Sequence, residues 1–134
     1  MPCCSRPGRI LAPVAALLAA GLAATGCSPG AQPAEASPAP RATIERGQRL
    51  LAQYQCGSCH AIPGVASAGG QVTSSLAGFG GRSYIAGRLP NQPDLLAQWI
   101  AKPQALVPGT LMPDMGVKPQ DARDMAAYLL AQKP

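Results

Sequence analysis

The run Cys56-Gly57-Ser58-Cys59-His60 constrains this chain more than any other stretch. Two cysteines three positions apart, with a histidine directly after the second, make the pattern in which each thiol adds to one haem vinyl group and the imidazole takes an axial position on iron. Positions i, i+3 and i+4 share one face of a helical turn, so a single short segment can form both thioether bonds and set the ring beneath the metal. Gly57 and Ser58 are small and leave the porphyrin uncrowded. Two rival uses of these residues fail on inventory. A Cys-x-x-Cys redox pair belongs beside alternating strands and helices, and no strand pattern is visible here. A structural zinc site needs four ligands. Beyond its N-terminal region the chain offers two cysteines and its only histidine.

A buried cofactor also answers a shortage of core. Of 134 residues, about the first forty are unsuited to folding, which leaves room for one small domain. That domain has one Trp, one Phe and three Tyr to fill its interior. The formal charge of +5 falls to +3 once Arg6 and Arg9 are assigned to a leader, and two haem propionates would offset most of the remainder. No cluster of Lys and Arg with interleaved aromatics occurs, so composition gives no case for nucleic acid as a partner. The five cysteines sort by position: Cys3 and Cys4 in the leader, Cys27 at its end, Cys56 and Cys59 in the haem motif. No pair is left for a disulfide.

Residues 1–27 read as an export signal, with Arg6 and Arg9 ahead of an uncharged run rich in Ala and Leu from Ile10 to Ala24. The run is shorter than the roughly 20 residues of a membrane-spanning helix. It ends in Ala24-Thr25-Gly26-Cys27, which resembles a bacterial lipoprotein cleavage site, with Ala24 where Leu is more usual. Lipidation at Cys27 is therefore expected, the alternatives being an ordinary cleaved signal or an uncleaved anchor, and all three place the remainder outside the cytoplasm, on the periplasmic side of the cell envelope. Residues 28–42 form a linker rich in Pro and Ala, extended and semi-rigid.

The folded domain is expected over residues 43–134. Thr43 is the candidate cap of a first helix carrying Ile44, Gly47, Leu50, Leu51 and Tyr54 at helical spacing, and this helix runs straight into the haem motif. Gly47 costs about 1 kcal/mol against Ala in a helix, a cost that a close crossing by another helix would justify. Residues 61–90 read as loop with one helical turn at 83–86. A loop that long needs something to pack on, and the haem would supply it. Asn91 is the candidate cap of a second helix with Leu95, Leu96, Trp99 and Ile100 on its apolar face, stopped by Pro103. Residues 103–113 form a proline-stiffened loop presenting Met112. A last helix opens at Pro119 and buries Ala122, Met125, Ala126 and Leu129.

Taken together, helix, Cys-x-x-Cys-His, long loop, short helix, Pro108-Gly109-Thr110-Leu111-Met112 and C-terminal helix resemble class I c-type cytochromes from Thr43 to the end of the chain. The segments Tyr84 to Asn91, Trp99-Ile100, Pro108-Gly109-Thr110 and Met112-Pro113 are particularly similar to the cytochrome c domains associated with, or fused to, subunit II of bacterial haem-copper oxidases. The resemblance implies an all-α fold, with three main helices and long loops wrapped around one haem c attached through Cys56 and Cys59. It implies His60 and Met112 as axial ligands, Trp99 against the haem, and first and last helices crossing through Gly47 and the face around Tyr128. One departure stands out. The family commonly has Gly-Pro before a Leu after the haem motif, the Pro carbonyl accepting the proton of the far nitrogen of the haem histidine. Here the stretch is Val72-Thr73-Ser74-Ser75-Leu76, so the carbonyl of Ser74 is the expected acceptor, without proline's rigidity.

The function implied is one-electron transport by a monomer tethered to the membrane through its lipid. The donor would be a quinol-oxidising complex and the acceptor a terminal oxidase. A ring of Arg82, Arg88, Lys102 and Lys118 around the haem edge would steer docking. The alternative is a haem enzyme or a gas or peroxide sensor in which Met112 is labile. With a single histidine and scattered carboxylates, the chain offers no acid–base constellation for such an enzyme.

Overall fold

A computed structural model describes residues 38–133. The export signal, Cys27 and most of the linker lie outside the described residues. In chain order the elements are α1 (Arg41–Gln53), β1 (Tyr84–Ile85), β2 (Leu89–Pro90), α2 (Pro93–Ala101), the single turn α3 (Pro103–Leu106) and α4 (Pro119–Ala131). Residues 56–58 and 79–81 form 3₁₀ turns. Among the described residues this is a helical domain, in which α4 packs against both α1 and α2. No described helix is long and apolar enough to cross a membrane.

The crossing of α1 on α4 is set by Gly47. A Cβ placed there would lie 2.0 Å from the carbonyl oxygen of Asp124 and 3.1 Å from the amide nitrogen of Met125, so the two backbones touch where a side chain would stand. Gly47, Leu50 and Leu51 are buried on α1, and Ala122, Met125, Ala126, Tyr128 and Leu129 on α4. The expected crossing is thus present, and it carries polar groups that the apolar pattern did not disclose. Arg46 reaches across to the carboxylates of Asp121 and Asp124, and Tyr54 Oη donates to Asp121 Oδ2 at 2.9 Å. Both aspartates are buried, and Gln120 Nε2 donates to Asp124 Oδ1 at 3.1 Å. That hydrogen-bonded cluster lets two carboxylates sit beside the core without being stranded there.

Several local expectations are corrected. Thr43 does not cap α1; the helix starts at Arg41 because Pro40, with φ −54° and ψ 143°, points its carbonyl at the amides of Thr43 and Ile44 (3.0 and 3.2 Å). Nor does α1 run directly into the haem motif. Gln55 takes a left-handed conformation, φ 54°, and separates α1 from the turn that follows. Asn91 does not cap α2: Gln92 holds that position ahead of Pro93, and the Asn91 amide donates to the carbonyls of Phe79 and Arg82 (3.1 and 2.9 Å). Pro103 ends α2 as expected and also opens α3, so the loop expected from 103 begins with a turn of helix, in which Pro is favoured at the first position.

The expected helical turn at 83–86 is instead a small hairpin pairing Tyr84 with Pro90 and Ile85 with Leu89. Ala86 and Gly87 both have positive φ (49° and 69°), the requirement of a tight hairpin turn whose twist matches its strands. The long loop of residues 61–90 also packs on the protein's own core. Ile62, Val65, Leu76, Phe79 and Ile85 are all buried in the core. Tyr128 Oη donates to the Pro63 carbonyl at 2.6 Å, and the amide of Gly80 to the Gln132 carbonyl at 2.9 Å, so α4 holds this loop at two points.

Candidate haem site

The turn carrying Cys56, Cys59 and His60 is fixed by its own backbone and by the loop behind it. The amides of Cys59 and His60 both bond to the Cys56 carbonyl (3.3 and 3.1 Å), and the Gly70 amide bonds to the Gly57 carbonyl at 3.0 Å. Gly57 is buried, and a Cβ on it would meet Ala68 Cα at 2.5 Å. Its smallness therefore serves the packing of the loop behind the turn, a reason beyond the porphyrin clearance expected from the sequence. The thiols of Cys56 and Cys59 are both free; Cys56 is half-buried and Cys59 exposed. Burial pushes the Cys56 thiol up from its ordinary pKa.

His60 is held from the loop at 73–75. Its Nδ1 lies 3.0 Å from the carbonyl oxygen of Ser74, the acceptor expected in place of the missing proline. Thr73 Oγ1, 2.7 Å from Nδ1 and 3.4 Å from Nε2, stands against the ring and off the Nδ1–H direction, which leaves the Ser74 carbonyl as the acceptor. The Thr73 amide bonds to the Cys59 carbonyl at 3.2 Å, and the Leu76 amide to the Ala61 carbonyl at 2.8 Å, so this loop is laced to the attachment turn at both ends. With Nδ1 engaged, Nε2 is the nitrogen left to bind a metal.

Met112 and Met115 differ in setting. Met112 is half-buried and packed against the core, whereas Met115 is 44 % exposed. The loop between them and α2 is braced by Lys102 Nζ, which donates to Asp114 Oδ2 at 2.7 Å, while Asp114 Oδ1 accepts the Gly116 amide at 2.9 Å. Lys102, followed by the Gly116 amide, holds the Asp114 carboxyl below the usual carboxylate range. Trp99 is buried in the core from α2. Of the four cations expected to ring the haem, Lys102 is thus paired, and Arg82 donates to the carbonyls of Ser75 and Ala77 with its guanidinium 5.2 Å from the Phe79 ring centre.

These residues fit a covalently held haem. Two free thiols and an imidazole with an available Nε2 stand within one turn. The flanking loops also present large apolar side chains without protein cover: Val72, beside Thr73, is 76 % exposed and Leu111, beside Met112, is 96 % exposed. Apolar surface of that kind in loops is where a cofactor gains burial.

Residues 44–133 match the family model of cytochrome c. The chain belongs to the cytochrome c family. This cytochrome is therefore a haem-based electron-transfer protein of the small all-α fold, from a family that binds haem c covalently, and Cys56 and Cys59 lie within the matched region. Among curated proteins it is similar to a cytochrome c oxidase subunit 2 of Alkalihalophilus pseudofirmus, with 34 % identity over 89 residues. The match covers 66 % of this cytochrome and 25 % of that relative's length. Sequence reasoning had missed the cluster of Arg46, Asp121 and Asp124 and the hydroxyl of Thr73. For the first a signal existed, since Asp121 and Asp124 sit three apart beside the apolar positions Ala122 and Met125; for the second, only the fold brings residue 73 to residue 60.

Proposed function

We propose that this cytochrome passes single electrons to a terminal oxidase, on a haem c bound through Cys56 and Cys59 with His60 and Met112 as axial ligands. When bound, the haem supplies a reversible Fe(III)/Fe(II) couple; the chain's own residues decide its position, its potential and its access to water. The carrying observation is the attachment turn with His60 Nδ1 at 3.0 Å from the Ser74 carbonyl, which fixes the ring and leaves Nε2 for iron. The half-buried setting of Met112 favours it over the exposed Met115 as the second ligand. A soft thioether there favours the ferrous state and raises the potential. Trp99, buried on α2, is proposed to wall the haem.

The oxidase as acceptor rests on the likeness to a cytochrome c oxidase subunit 2. The donor proposed is a quinol-oxidising complex, and the protein is proposed to be a monomer held in the cell envelope, on the periplasmic side, by a lipid on Cys27. One preparation tests the whole reading. Protein extracted from membranes should show by mass a lipid-modified Cys27 at its N-terminus. After reduction, it should be oxidised in stopped flow by solubilised membranes and stop doing so when the terminal oxidase is inhibited. Oxidation indifferent to that inhibitor removes the oxidase from the proposal, and an intact residue 1–26 segment removes the lipid anchor.

A further inference from the structure

We infer that Lys102 and Asp114 are positioning residues for Met112: their ion pair pins the methionine loop to the helix that carries Trp99 and thereby sets how often the thioether leaves iron. The inference rests on the proposed ligation of iron by Met112 and adds which residues keep that ligand in place. The pin is firm at its α2 end. Lys102 closes α2 and leads into α3, its amide donating to the Gln98 carbonyl at 2.8 Å and its carbonyl accepting the Ala105 amide at 3.2 Å. Trp99 stands three residues earlier on the same helix.

The other end is fixed within the loop. Asp114 uses both carboxylate oxygens: Oδ1 accepts the Gly116 amide at 2.9 Å and Oδ2 accepts from Lys102 Nζ at 2.7 Å. Gly116 closes that turn at a φ of 68°, a conformation glycine adopts without strain. Among the described residues, no other hydrogen bond or ion pair ties residues 111–117 to an element outside their own loop. The Met112 amide reaches only Thr110 Oγ1, at 3.4 Å. Within residues 111–116 Met112 alone packs on the core, and apolar anchoring resumes at the buried Val117. One polar contact, two residues from the ligand, therefore holds a stretch that has little packing of its own.

Departure of the ligand is a plain substitution. The sulfur keeps its lone pair as its bond to iron breaks, an incoming donor forms the new bond, and no electron is transferred. The sulfur can leave only if the loop carries it away, and the pin opposes that excursion. Its side chains are 68 % and 40 % exposed, so its strength is that of a surface pair. Coupling of that size alters the departure rate by about two- to fivefold. Salt screens an exposed pair and should produce the same change.

The test follows the ferric holoprotein in stopped flow as imidazole, at a pH where it is neutral, replaces the native ligand. At high imidazole the observed rate levels off at the rate with which that ligand leaves. Lys102→Gln and Asp114→Asn should each raise this limit about two- to fivefold, and the double variant should go no further than either alone, while Lys102→Arg stays with wild type. Added salt should bring the wild-type limit up to that of the variants and leave theirs where it was. Asn at 114 keeps an oxygen for the Gly116 amide, and both positions are exposed, so these variants should fold. Single variants that match wild type, a wild-type limit indifferent to salt, or a double variant in which the two effects multiply would each overturn the pin. Met112→Ala checks the reading beneath it. That variant should bind imidazole with no limiting rate, and a limit equal to wild type would refute ligation by Met112 whatever the pair variants show.

Discussion

Met112 and Met115 lie three residues apart, and position alone separates them as candidates for iron. Pro113 confines the backbone of Met112 to an extended conformation, and Met112 packs on the core while Met115 is 44 % exposed. A thioether already held near its working place loses less entropy on binding a metal than one on free chain. Met112→Ala should therefore abolish the far-red sulfur-to-iron charge-transfer band, lower the potential and let the ferrous protein bind CO. Met115→Ala should keep the band. If the two spectra came out reversed, the ligand assignment would pass to Met115. Both methionines could be picked out from the proline spacing, but the burial that ranks them arises only when α2 and α4 fix the ends of their loop.

At the level of elements, the contact between α1 and α4 decides whether the domain closes. Gly47 was visible as an expensive residue in an otherwise good helix, and the structure gives the reason: its missing Cβ would stand 2.0 Å from the Asp124 carbonyl oxygen. Backbone cannot yield as a flexible side chain can, so Gly47→Ala should lower stability by about 2 kcal/mol or more, outweighing Ala's gain of about 1 kcal/mol in helix propensity. Denaturant unfolding of the holoprotein measures this; a variant as stable as wild type would mean that the helices can separate without loss. The hairpin at 84–90 shows the opposite balance. Its two-residue strands are too short for a periodic signal, and only Gly87 marks the turn.

Across the whole domain, the cluster of Arg46, Tyr54, Asp121 and Asp124 ties its first helix to its last and should make stability depend on pH. The hydrogen bond from Tyr54, then Arg46 and more weakly Lys118, hold the Asp121 carboxyl below the usual carboxylate range against the opposing effect of burial. A carboxyl depressed in the folded state contributes stability that is complete above its unfolded pKa, about 3.9, and is lost as pH falls through its lower folded value. Asp121→Asn should thus be less stable than wild type at neutral pH, and the gap should narrow on acidification below about pH 4. Unfolding by urea, followed by far-ultraviolet circular dichroism across that range, checks it. A gap that stays constant with pH would show that Asp121 contributes through packing rather than charge.

The chain's sequence by itself pointed to covalent haem, which the family supports, and to the order of the elements. Cys56, Cys59 and His60 announce haem attachment because that spacing has few other uses, and the positions of Gly47, Trp99, Met112 and Pro119 follow from helical spacing and from proline and glycine as punctuation. The capping residues ahead of 41 and 93 escaped it because Pro40 and Gln92 cap through backbone carbonyls, which leave no mark on side-chain identity. What only the tertiary structure decided are the contacts between residues far apart in the chain: Arg46 with Asp121 and Asp124, Tyr54 with Asp121, Tyr128 with Pro63. The physical reason is the same in each case. A polar side chain advertises that it can form a hydrogen bond, but its partner is chosen by which loop the packed helices bring within 3 Å, about the reach of such a bond.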